Sequence, residues 1–282
     1  MAGTKYLNRI ITETGEKAPP PIPGVKSTHV LKVDKTRIKD FFSVDCTWYW
    51  SARDNSTIRE AGVSKLNQVI GFVGLNPEDP HDLTGELTVW IDGEKQVINR
   101  SCLIFVPARM KFGPVQINTL KGQFFYASVA PNDNYKVDLS PEDWKYSIIY
   151  TTKAKSDDPP PISTMKSSRI LHIEDDMARG AFYVDYVWLY KGYGVLGAPE
   201  HTHDYEELIA MIGSDPEHPR EIGGILSMDL EGEPYYVTQS SLICIPRQVK
   251  HCPWKFLDVR RPTLVFTAIP SGRYVSSYKD KW

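Results

Sequence analysis

The sequence predicts an all-β protein made of two tandem copies of one barrel. Three observations support this prediction: the chain repeats itself, each copy consists of short strand-like segments between turn residues, and long helical patterns are absent. The 282 residues are enough for two compact domains, each with a core of its own. We therefore expect residues 1–150 to form an N-terminal barrel with an added N-terminal arm, and residues 151–282 to form a C-terminal barrel.

The repeat is clearest in the glycines and prolines. The segment PPPI at 19–22 recurs at 159–162, an offset of 140 residues. After a slip of one residue the offset becomes 139, and it holds as far as Tyr135 and Tyr274. Because glycine and proline fix turns, two copies of one turn framework imply two copies of one fold.

Each copy contains five segments rich in β-branched and aromatic residues, which are typical of strands. In the first copy they are FFSVDCTWYW, NQVIGFVG, ELTVWID, QVINRSCLIFVP and QFFYASVA. In the second copy AFYVDYVWLY, ELIAMIG, ILSMDL, YYVTQSSLICIP and TLVFTAI take the matching places. One short helix is predicted at 140–144, where Ser140 would cap it and Pro141 suits the first turn. Many short strands at regular spacing favour a sandwich or a closed barrel.

The composition argues against several classes of function. A net charge of -2 without a basic stripe makes nucleic acid a poor partner. No run approaches the roughly 20 apolar residues of a membrane helix, and the first residues lack the apolar core of a signal peptide. We therefore expect a cytoplasmic protein that does not bind membranes, with its cysteines as reduced thiols. The cysteines are Cys46, Cys102, Cys244 and Cys252.

The second copy contains residues suited to binding a metal ion. His201 and His203 are two residues apart, so on a strand both imidazoles point to one face. Glu207 follows four residues after His203, and His251 lies 44 residues further on, just past a turn marked by proline. Three imidazoles and one carboxylate suit one divalent transition ion per chain, namely Fe, Mn, Zn, Ni or Cu, with Fe or Zn favoured. The four residues converge only if the barrel closes.

The first copy serves as an internal control for this site. The turn framework is shared, yet all four candidate ligand positions carry other residues, so the fold does not require histidine there. We therefore expect the first barrel to be free of metal, and the histidines of the second to serve a metal rather than packing. The residues at the matching positions are Gly62, Ser64, Gln68 and Phe112.

The two segments that carry these residues resemble the motifs of the cupin superfamily. HTHDYEE resembles G-x5-H-x-H-x3/4-E-x6-G, and IPRQVKH resembles G-x5-P-x-G-x2-H-x3-N. The resemblance implies two barrels of the double-stranded β-helix or jelly-roll type, a bicupin with metal motifs in the C-terminal barrel only. It also favours Glu207 over its neighbour Glu206, which fails the motif spacing. The sequence departs from the two motifs at four positions, with Val195, Ser214 and Gln248 in place of glycine and Lys255 in place of asparagine.

Three further residues are candidates for catalysis. Tyr205, between the ligands, would either hydrogen-bond a bound substrate or face solvent. Arg247 and Lys250 flank the turn of the second motif, where they would attract a carboxylate substrate or remain ordinary solvated charges. The four ligands leave positions open for water or for two oxygens of a substrate, on an ion that takes five or six ligands.

The resemblance to metal-bearing cupins implies a dioxygenase that acts on a small, oxygen-rich molecule such as a hydroxylated or keto acid. A redox-neutral isomerase or lyase that stabilises an enolate needs the same ligands, so the sequence does not separate the two. A non-catalytic barrel that binds a ligand, or in which the metal only stabilises the fold, is the third alternative. The resemblance also implies a homodimer, for which the residues before 19–22 would supply an arm exchanged across the two-fold axis.

Overall fold

The computed structural model describes residues 3–16, 19–137, 139–152, 164–196 and 198–275. This part of the chain is almost entirely β, and its one helical element is a 3₁₀ turn at Leu7–Arg9. The strands of the first repeat and its arm are β1 (Ile10–Ile11), β2 (Val25–Val33), β3 (Ser43–Ala52), β4 (Ser56–Arg59), β5 (Gly62–Val63), β6 (Gln68–Gly74), β7 (Asp82–Ile91), β8 (Glu94–Arg100), β9 (Cys102–Val106), β10 (Lys111–Leu120) and β11 (Phe124–Ala130). The remaining strands are β12 (Ser147–Ile149), β13 (Lys166–Ile173), β14 (Tyr183–Leu196), β15 (Glu207–Gly213), β16 (Glu221–Leu230), β17 (Glu233–Gln239), β18 (Ser241–Ile245), β19 (His251–Val259) and β20 (Thr263–Ile269).

The all-β prediction is confirmed. The predicted domain boundary at 151 borders residues 153–163, which lie outside the described residues together with the second PPPI segment. The division into two domains therefore stays a prediction.

The short helix predicted at 140–144 is wrong, because this segment forms a single turn. Ser140 does begin the turn: the amide of Asp143 donates to Ser140 Oγ at 3.2 Å, and the amide of Trp144 donates to the Ser140 carbonyl at 3.0 Å. The chain then extends into β12, where Ile148 pairs with Ile104 of β9. Pairing with an existing sheet outweighs the weak helical preference of a five-residue segment.

The strands pair in the same order in the two repeats. The first repeat has a six-stranded sheet of order β12-β9-β6-β11-β3-β2, and a five-stranded sheet of order β4-β10-β7-β8 with β5 beside β10. In the second repeat the corresponding strands form one nine-stranded sheet of order β1-β18-β15-β20-β14-β19-β16-β17, with β13 beside β14. They are joined because β14 runs through both parts, whereas β3 and β4 are separate strands.

Each repeat encloses an apolar core of its own. Phe72 and Phe124 belong to the core of the first repeat, and Ile209, Met228 and Phe256 belong to that of the second. A further cluster lies between the repeats and takes side chains from both of them. One face of each central strand therefore packs inside its own repeat, and the other face packs against the neighbouring repeat.

Two tryptophans at matching positions connect the repeats. Both are fully buried in the shared cluster. The indole N–H of Trp48 donates to the carbonyl of Gly213 at 2.8 Å, and that of Trp188 donates to the carbonyl of Gly74 at 3.2 Å. Each indole thus reaches into the other repeat and satisfies a buried backbone acceptor there.

The N-terminal arm lies on the second repeat of its own chain. Ile10 of β1 pairs with Ile243 of β18, and the amide of Gly3 donates to the carbonyl of Pro234 at 2.9 Å. β12, which precedes the second repeat, pairs in the same way with β9 of the first repeat. The N-terminal arm therefore supplies the hydrogen-bond partners of an edge strand in the second repeat, as β12 does for β9 of the first repeat. The arm gives no further support to a homodimer, which stays a prediction.

Gly213 permits a close approach of β15 and β16. A Cβ atom there would lie 1.9 Å from the carbonyl oxygen of Glu221, and one at the matching Gly74 would lie 2.0 Å from that of Asp82. We expect Gly213→Ala to lower the free energy of unfolding by about 1–3 kcal/mol, because the two strands would have to separate. Urea denaturation measures this, with Gly62→Ala as the control because that position is open. Equal losses in the two variants would contradict the packing argument.

All four cysteines are buried and none forms a disulfide. Burial raises the pKa of their thiols, so they are protonated and unreactive at neutral pH. Within the described ranges, no helix has the length and apolar character needed to cross a membrane.

Candidate metal centre

Two short pieces of backbone hold three of the candidate ligands together. His201 and His251 form an isolated antiparallel bridge, in which the amide of each donates to the carbonyl of the other at 3.1 Å. The amide of Gln248 donates to the carbonyl of His203 at 2.8 Å. The backbone thus brings the first-motif segment directly against the turn that leads to His251.

Gln248 shows why the cupin motif has a glycine at this position. Its φ is +64°, in the left-handed region, and Arg109 at the matching position of the first repeat has a φ of +68°. The amide of Arg109 donates to the carbonyl of Ser64 at 2.7 Å, just as Gln248 donates to His203. The turn therefore keeps its conformation without glycine in both repeats, at an expected cost of about 1–2 kcal/mol in each.

The four predicted ligand side chains converge inside the second repeat. His201 Nε2 lies 3.1 Å from His203 Nε2, and Glu207 Oε2 lies 3.2 Å from His203 Nε2 and 2.8 Å from His251 Nε2. All four donor atoms lie within 4.8 Å of one another, and each residue is at most 4% exposed. In the part of the chain that the structure describes, no second group of this kind is found.

The outer nitrogens of the three imidazoles fix their tautomers. Each Nδ1 lies beside a backbone carbonyl oxygen, which only accepts hydrogen bonds, so Nδ1 carries the proton and donates it. A neutral ring then has its lone pair on Nε2, the atom that faces the centre of the site. The distances are 2.6 Å from His201 to Pro199, 2.7 Å from His203 to Val275 and 2.9 Å from His251 to Val249.

This donor set fits a metal ion. Lone pairs on two Nε2 atoms that face each other at 3.1 Å repel unless positive charge, from a proton or a metal ion, lies between them. Two ligands at right angles on an ion, each bonded at about 2.1 Å, are about 3.0 Å apart. The separations of 2.8 to 3.2 Å between neighbouring donors match this value.

The ionisation of the site also suits metal binding. Burial, followed by the charge of His251, lowers the pKa of His201 to about 4. Burial acts to raise the pKa of Glu207, but hydrogen bonds from His203 and His251 outweigh it and hold this pKa well below its usual range. Burial acts to lower the pKa of His251, and its hydrogen bond to Glu207 reverses the effect, so that this pKa is raised. A neutral His201 and an ionised Glu207 are the forms that coordinate metals, and His251 reaches its coordinating form when an ion replaces the Nε2 proton that it donates to Glu207.

The two adjacent glutamates have different surroundings. Glu207 begins β15, where it pairs with Ile245 of β18, and its carboxylate belongs to the cluster. Glu206 Oε1 instead accepts a hydrogen bond from the guanidinium of Arg247 at 2.7 Å. The structure therefore places Glu207 among the candidate ligands and Glu206 outside them, as strand alternation predicts.

The three predicted catalytic residues lie around the site in different ways. The ring of Tyr205 stacks on the ring of His203, with 4.8 Å between centroids, and its hydroxyl bonds the backbone of Val275. Arg247 is exposed and pairs with Glu206, and Lys250 is exposed with its Nζ 3.6 Å from Glu200. Their catalytic roles stay predictions.

One residue of the site is absent from the sequence-based prediction. Tyr274 lies after β20, and its hydroxyl oxygen is 3.0 Å from His201 Nε2 and 3.5 Å from His203 Nε2. The repeat alignment does mark this residue, since Tyr135 matches it, but a tyrosine shared by both copies indicates framework rather than chemistry. The hydroxyl of Tyr135 donates to the carbonyl of Ala181 at 3.3 Å.

The first repeat fills the equivalent space with an aromatic ring. Phe112 pairs with Gly62, as His251 pairs with His201, and it is fully buried. The guanidinium of Arg59 lies over this ring, 5.3 Å from its centroid. Phe112 therefore takes the place of a ligand with an apolar group that has no donor atom.

Comparison with known proteins finds likeness in structure only. No protein-family profile and no curated protein matches this sequence. AerE from Microcystis aeruginosa is 11% identical with a TM-score of 0.54, over 93% of this chain and 99% of that one. Vicilin from hazelnut, Corylus avellana, is 8% identical with a TM-score of 0.57, over 95% and 87% of the two chains. A variant of oxalate decarboxylase from Bacillus subtilis is 9% identical with a TM-score of 0.58, over 97% and 80%.

The chain has the cupin fold. At identities this low the likeness shows the fold alone, so activity does not follow from it. The expectation of a cupin or jelly-roll architecture, drawn from the motifs, is nevertheless confirmed. Within this cupin fold the candidate ligands lie at the start of β15, at the start of β19 and in the segment before β15.

Proposed function

We propose that the chain is a metal-dependent enzyme that acts on a small, oxygen-rich organic acid, with one divalent transition metal ion held by His201, His203, Glu207 and His251. The observation that supports this most directly is the convergence of three Nε2 atoms and one carboxylate oxygen, with every Nδ1 fixed on a carbonyl. When bound, such an ion polarises and orients substrate oxygens as a Lewis acid.

The charge and burial of the site support an anionic substrate of small size. Three neutral imidazoles and one carboxylate leave a divalent ion with a net charge of about +1, which attracts a carboxylate or an enolate. The ligands are almost completely buried, so a polymer has no access to them. Arg247 and Lys250, exposed beside the second-motif turn, would attract an acid towards this end of the repeat.

Two reaction classes use this arrangement. We propose an oxygen-dependent cleavage of the dioxygenase type as the first candidate, with Fe as the ion. A redox-neutral isomerase or lyase is the second, and the likeness in fold to a decarboxylase favours it. Mn(II) centres are described for that decarboxylase, so Mn or Zn would suit this second class. A third candidate is a non-catalytic barrel, for which the likeness in fold to vicilin is the support.

We also propose that residues 1–150 and 151–282 form two cupin domains and that the first binds no metal. The repeated order of strand pairing and the two separate apolar cores support the division. Phe112 and Gln68 at ligand positions support the absence of metal from the first domain.

Metal analysis of the purified protein tests the site. We expect about one ion per chain, lost when His201 and His203 are both replaced by alanine, because only Glu207 and His251 of the four ligands then remain. Replacement of Gly62 and Ser64, the matching residues of the first repeat, by alanine is the matched control and should keep the ion. Two ions per chain, or an ion retained by the double variant of the second repeat, would contradict the proposed site.

The identity of the ion and a test under nitrogen separate the reaction classes. Oxygen consumption by the iron-loaded protein, when hydroxy or keto acids are added, is the result expected for a dioxygenase. Turnover of the same acids under nitrogen, with Mn or Zn, would instead support the isomerase or lyase. If the protein binds an ion but none of the added acids is consumed, with or without oxygen, the result would support the non-catalytic alternative.

A further inference from the structure

The hydroxyl of Tyr274 lies at the distances expected of a fifth ligand. It is 3.0 Å from His201 Nε2 and 3.5 Å from His203 Nε2. The separations between the four candidate ligands themselves are 2.8 to 3.2 Å. Neighbouring ligands on a transition metal ion are about 3.0 Å apart at right angles and about 3.4 Å apart at the tetrahedral angle. The oxygen of Tyr274 therefore lies at one more corner of the same group of donors.

We propose that Tyr274 coordinates the metal ion as a fifth ligand. This inference rests on the proposed metal site, and it adds an oxygen donor that the cupin motifs do not contain. Phenol oxygen is a suitable donor for Fe, Cu and Zn, and the acceptor character of the Nε2 atoms around it favours a cation at the centre.

Three hydrogen bonds hold Tyr274 in this place, and they involve its neighbour Val275. The Nδ1–H of His203 donates to the carbonyl of Val275 at 2.7 Å, and the hydroxyl of Tyr205 donates to the same oxygen. The amide of Val275 donates to the Tyr205 oxygen at 3.0 Å. The structure thus assigns Tyr205 as a positioning residue, which fixes the backbone beside Tyr274 while its ring stacks on His203.

The first repeat shows that the framework itself does not require this contact. Tyr135 matches Tyr274, yet its hydroxyl donates to the carbonyl of Ala181 at 3.3 Å in the other repeat. The ring of Tyr274 packs beside Tyr183, with 5.4 Å between centroids, so packing fixes the ring whatever its hydroxyl does. Removal of the hydroxyl alone therefore tests coordination without removing the ring.

The experiment uses the full chain reconstituted with Fe³⁺ and examined by visible absorption. Phenolate bound to Fe³⁺ gives a charge-transfer band in the visible, whereas imidazole and carboxylate ligands do not. We expect the wild type to show this band at one ion per chain, and Tyr274→Phe to lose it while it still binds one ion through the other four ligands. We also expect Tyr274→Phe to bind Zn²⁺ at least ~10-fold more weakly in competition with a chelator.

Two further variants act as controls. Tyr135→Phe removes the matching hydroxyl of the first repeat and should leave the band and the affinity for Zn²⁺ unchanged. Tyr205→Phe removes two of the three bonds at Val275, so the band should weaken while the stoichiometry of the ion stays the same.

The outcomes distinguish this inference from the proposed function. One bound Fe³⁺ without a phenolate band, or a band that Tyr274→Phe retains, would overturn the fifth ligand and leave the four-residue site intact. A wild type that binds no iron and no zinc would overturn both.

Discussion

Substitution of phenylalanine for His251 is expected to weaken metal binding by more than ~100-fold and leave the fold intact. Phe112 occupies the matching position of the first repeat, buried in a strand pair of the same geometry, so the backbone accommodates this ring. Loss of the imidazole removes one donor and the partner of Glu207 Oε2 at 2.8 Å. Removal of an outer hydrogen-bond partner already costs ~10–100-fold in metal affinity, and loss of a ligand should exceed that. Metal analysis and isothermal titration with Zn²⁺ measure the effect.

The stability of this variant gives a second, independent measurement. At a free Zn²⁺ concentration 1,000 times the Kd, binding stabilises the wild type by about 4 kcal/mol, which a chelator removes. At the same Zn²⁺ concentration the chelator should change the unfolding of His251→Phe by no more than about 1.4 kcal/mol, because the Kd is more than ~100-fold higher. His218→Phe is the control, because His218 is an exposed histidine of the second repeat and should keep both the ion and its stabilising effect. Equal effects of the chelator on the unfolding of His251→Phe and of His218→Phe would contradict the proposed site.

Trp188→Ala is expected to give the largest loss of stability. The side chain is fully buried in the cluster between the repeats, and its indole N–H satisfies the carbonyl of Gly74. Truncation of a buried tryptophan costs about 3–5 kcal/mol through lost transfer energy and the cavity that remains. Trp188→Phe should cost less, since it keeps much of the apolar volume and loses the hydrogen bond, worth about 1 kcal/mol. Equilibrium unfolding in urea, followed by circular dichroism, measures both.

Trp144 provides the matched comparison for this substitution. It is 40% exposed and its indole also donates to a backbone carbonyl, that of Ala108 at 3.1 Å. Trp144→Ala should therefore cost no more than about 1 kcal/mol. If it destabilised the protein as much as Trp188→Ala, the cluster between the repeats would not contribute what its burial implies.

The repeat and the spacing of four polar residues were sufficient to predict the convergence of the cluster. The strand expected for His201 and His203 is wrong, because His201 forms only an isolated bridge with His251 and His203 lies in the segment before β15. His251 follows a turn whose prolines recur in the first copy. Glu207 begins β15 and could be separated from Glu206 because neighbours along an extended segment point to opposite faces. The spacing of the motifs thus carried the proximity of the four side chains, whereas their role as metal ligands stays a prediction.

Other features depend on contacts between distant segments, which no local pattern reports. Tyr274 reaches the cluster from beyond β20, and its match to Tyr135 pointed to framework. The position of the N-terminal arm depends on the edge of β18, where Ile10 pairs with Ile243. The helix predicted at 140–144 failed because β9 offered a partner to the next residues. In each case a tertiary contact determined the outcome.

Alternate side chains of β14 point to opposite sides of the strand and pack in two different apolar clusters. Val184, Tyr186 and Trp188 belong to the cluster between the repeats, whereas Val187 and Leu189 pack on the opposite side, in the core of the second repeat. Substitution of Val184, Tyr186 or Trp188 should therefore weaken the packing between the repeats, and substitution of Val187 or Leu189 should alter the core of the second repeat. The first repeat is therefore needed for the fold of the second whether or not it binds an ion itself, because the shared cluster covers one face of β14 with its side chains.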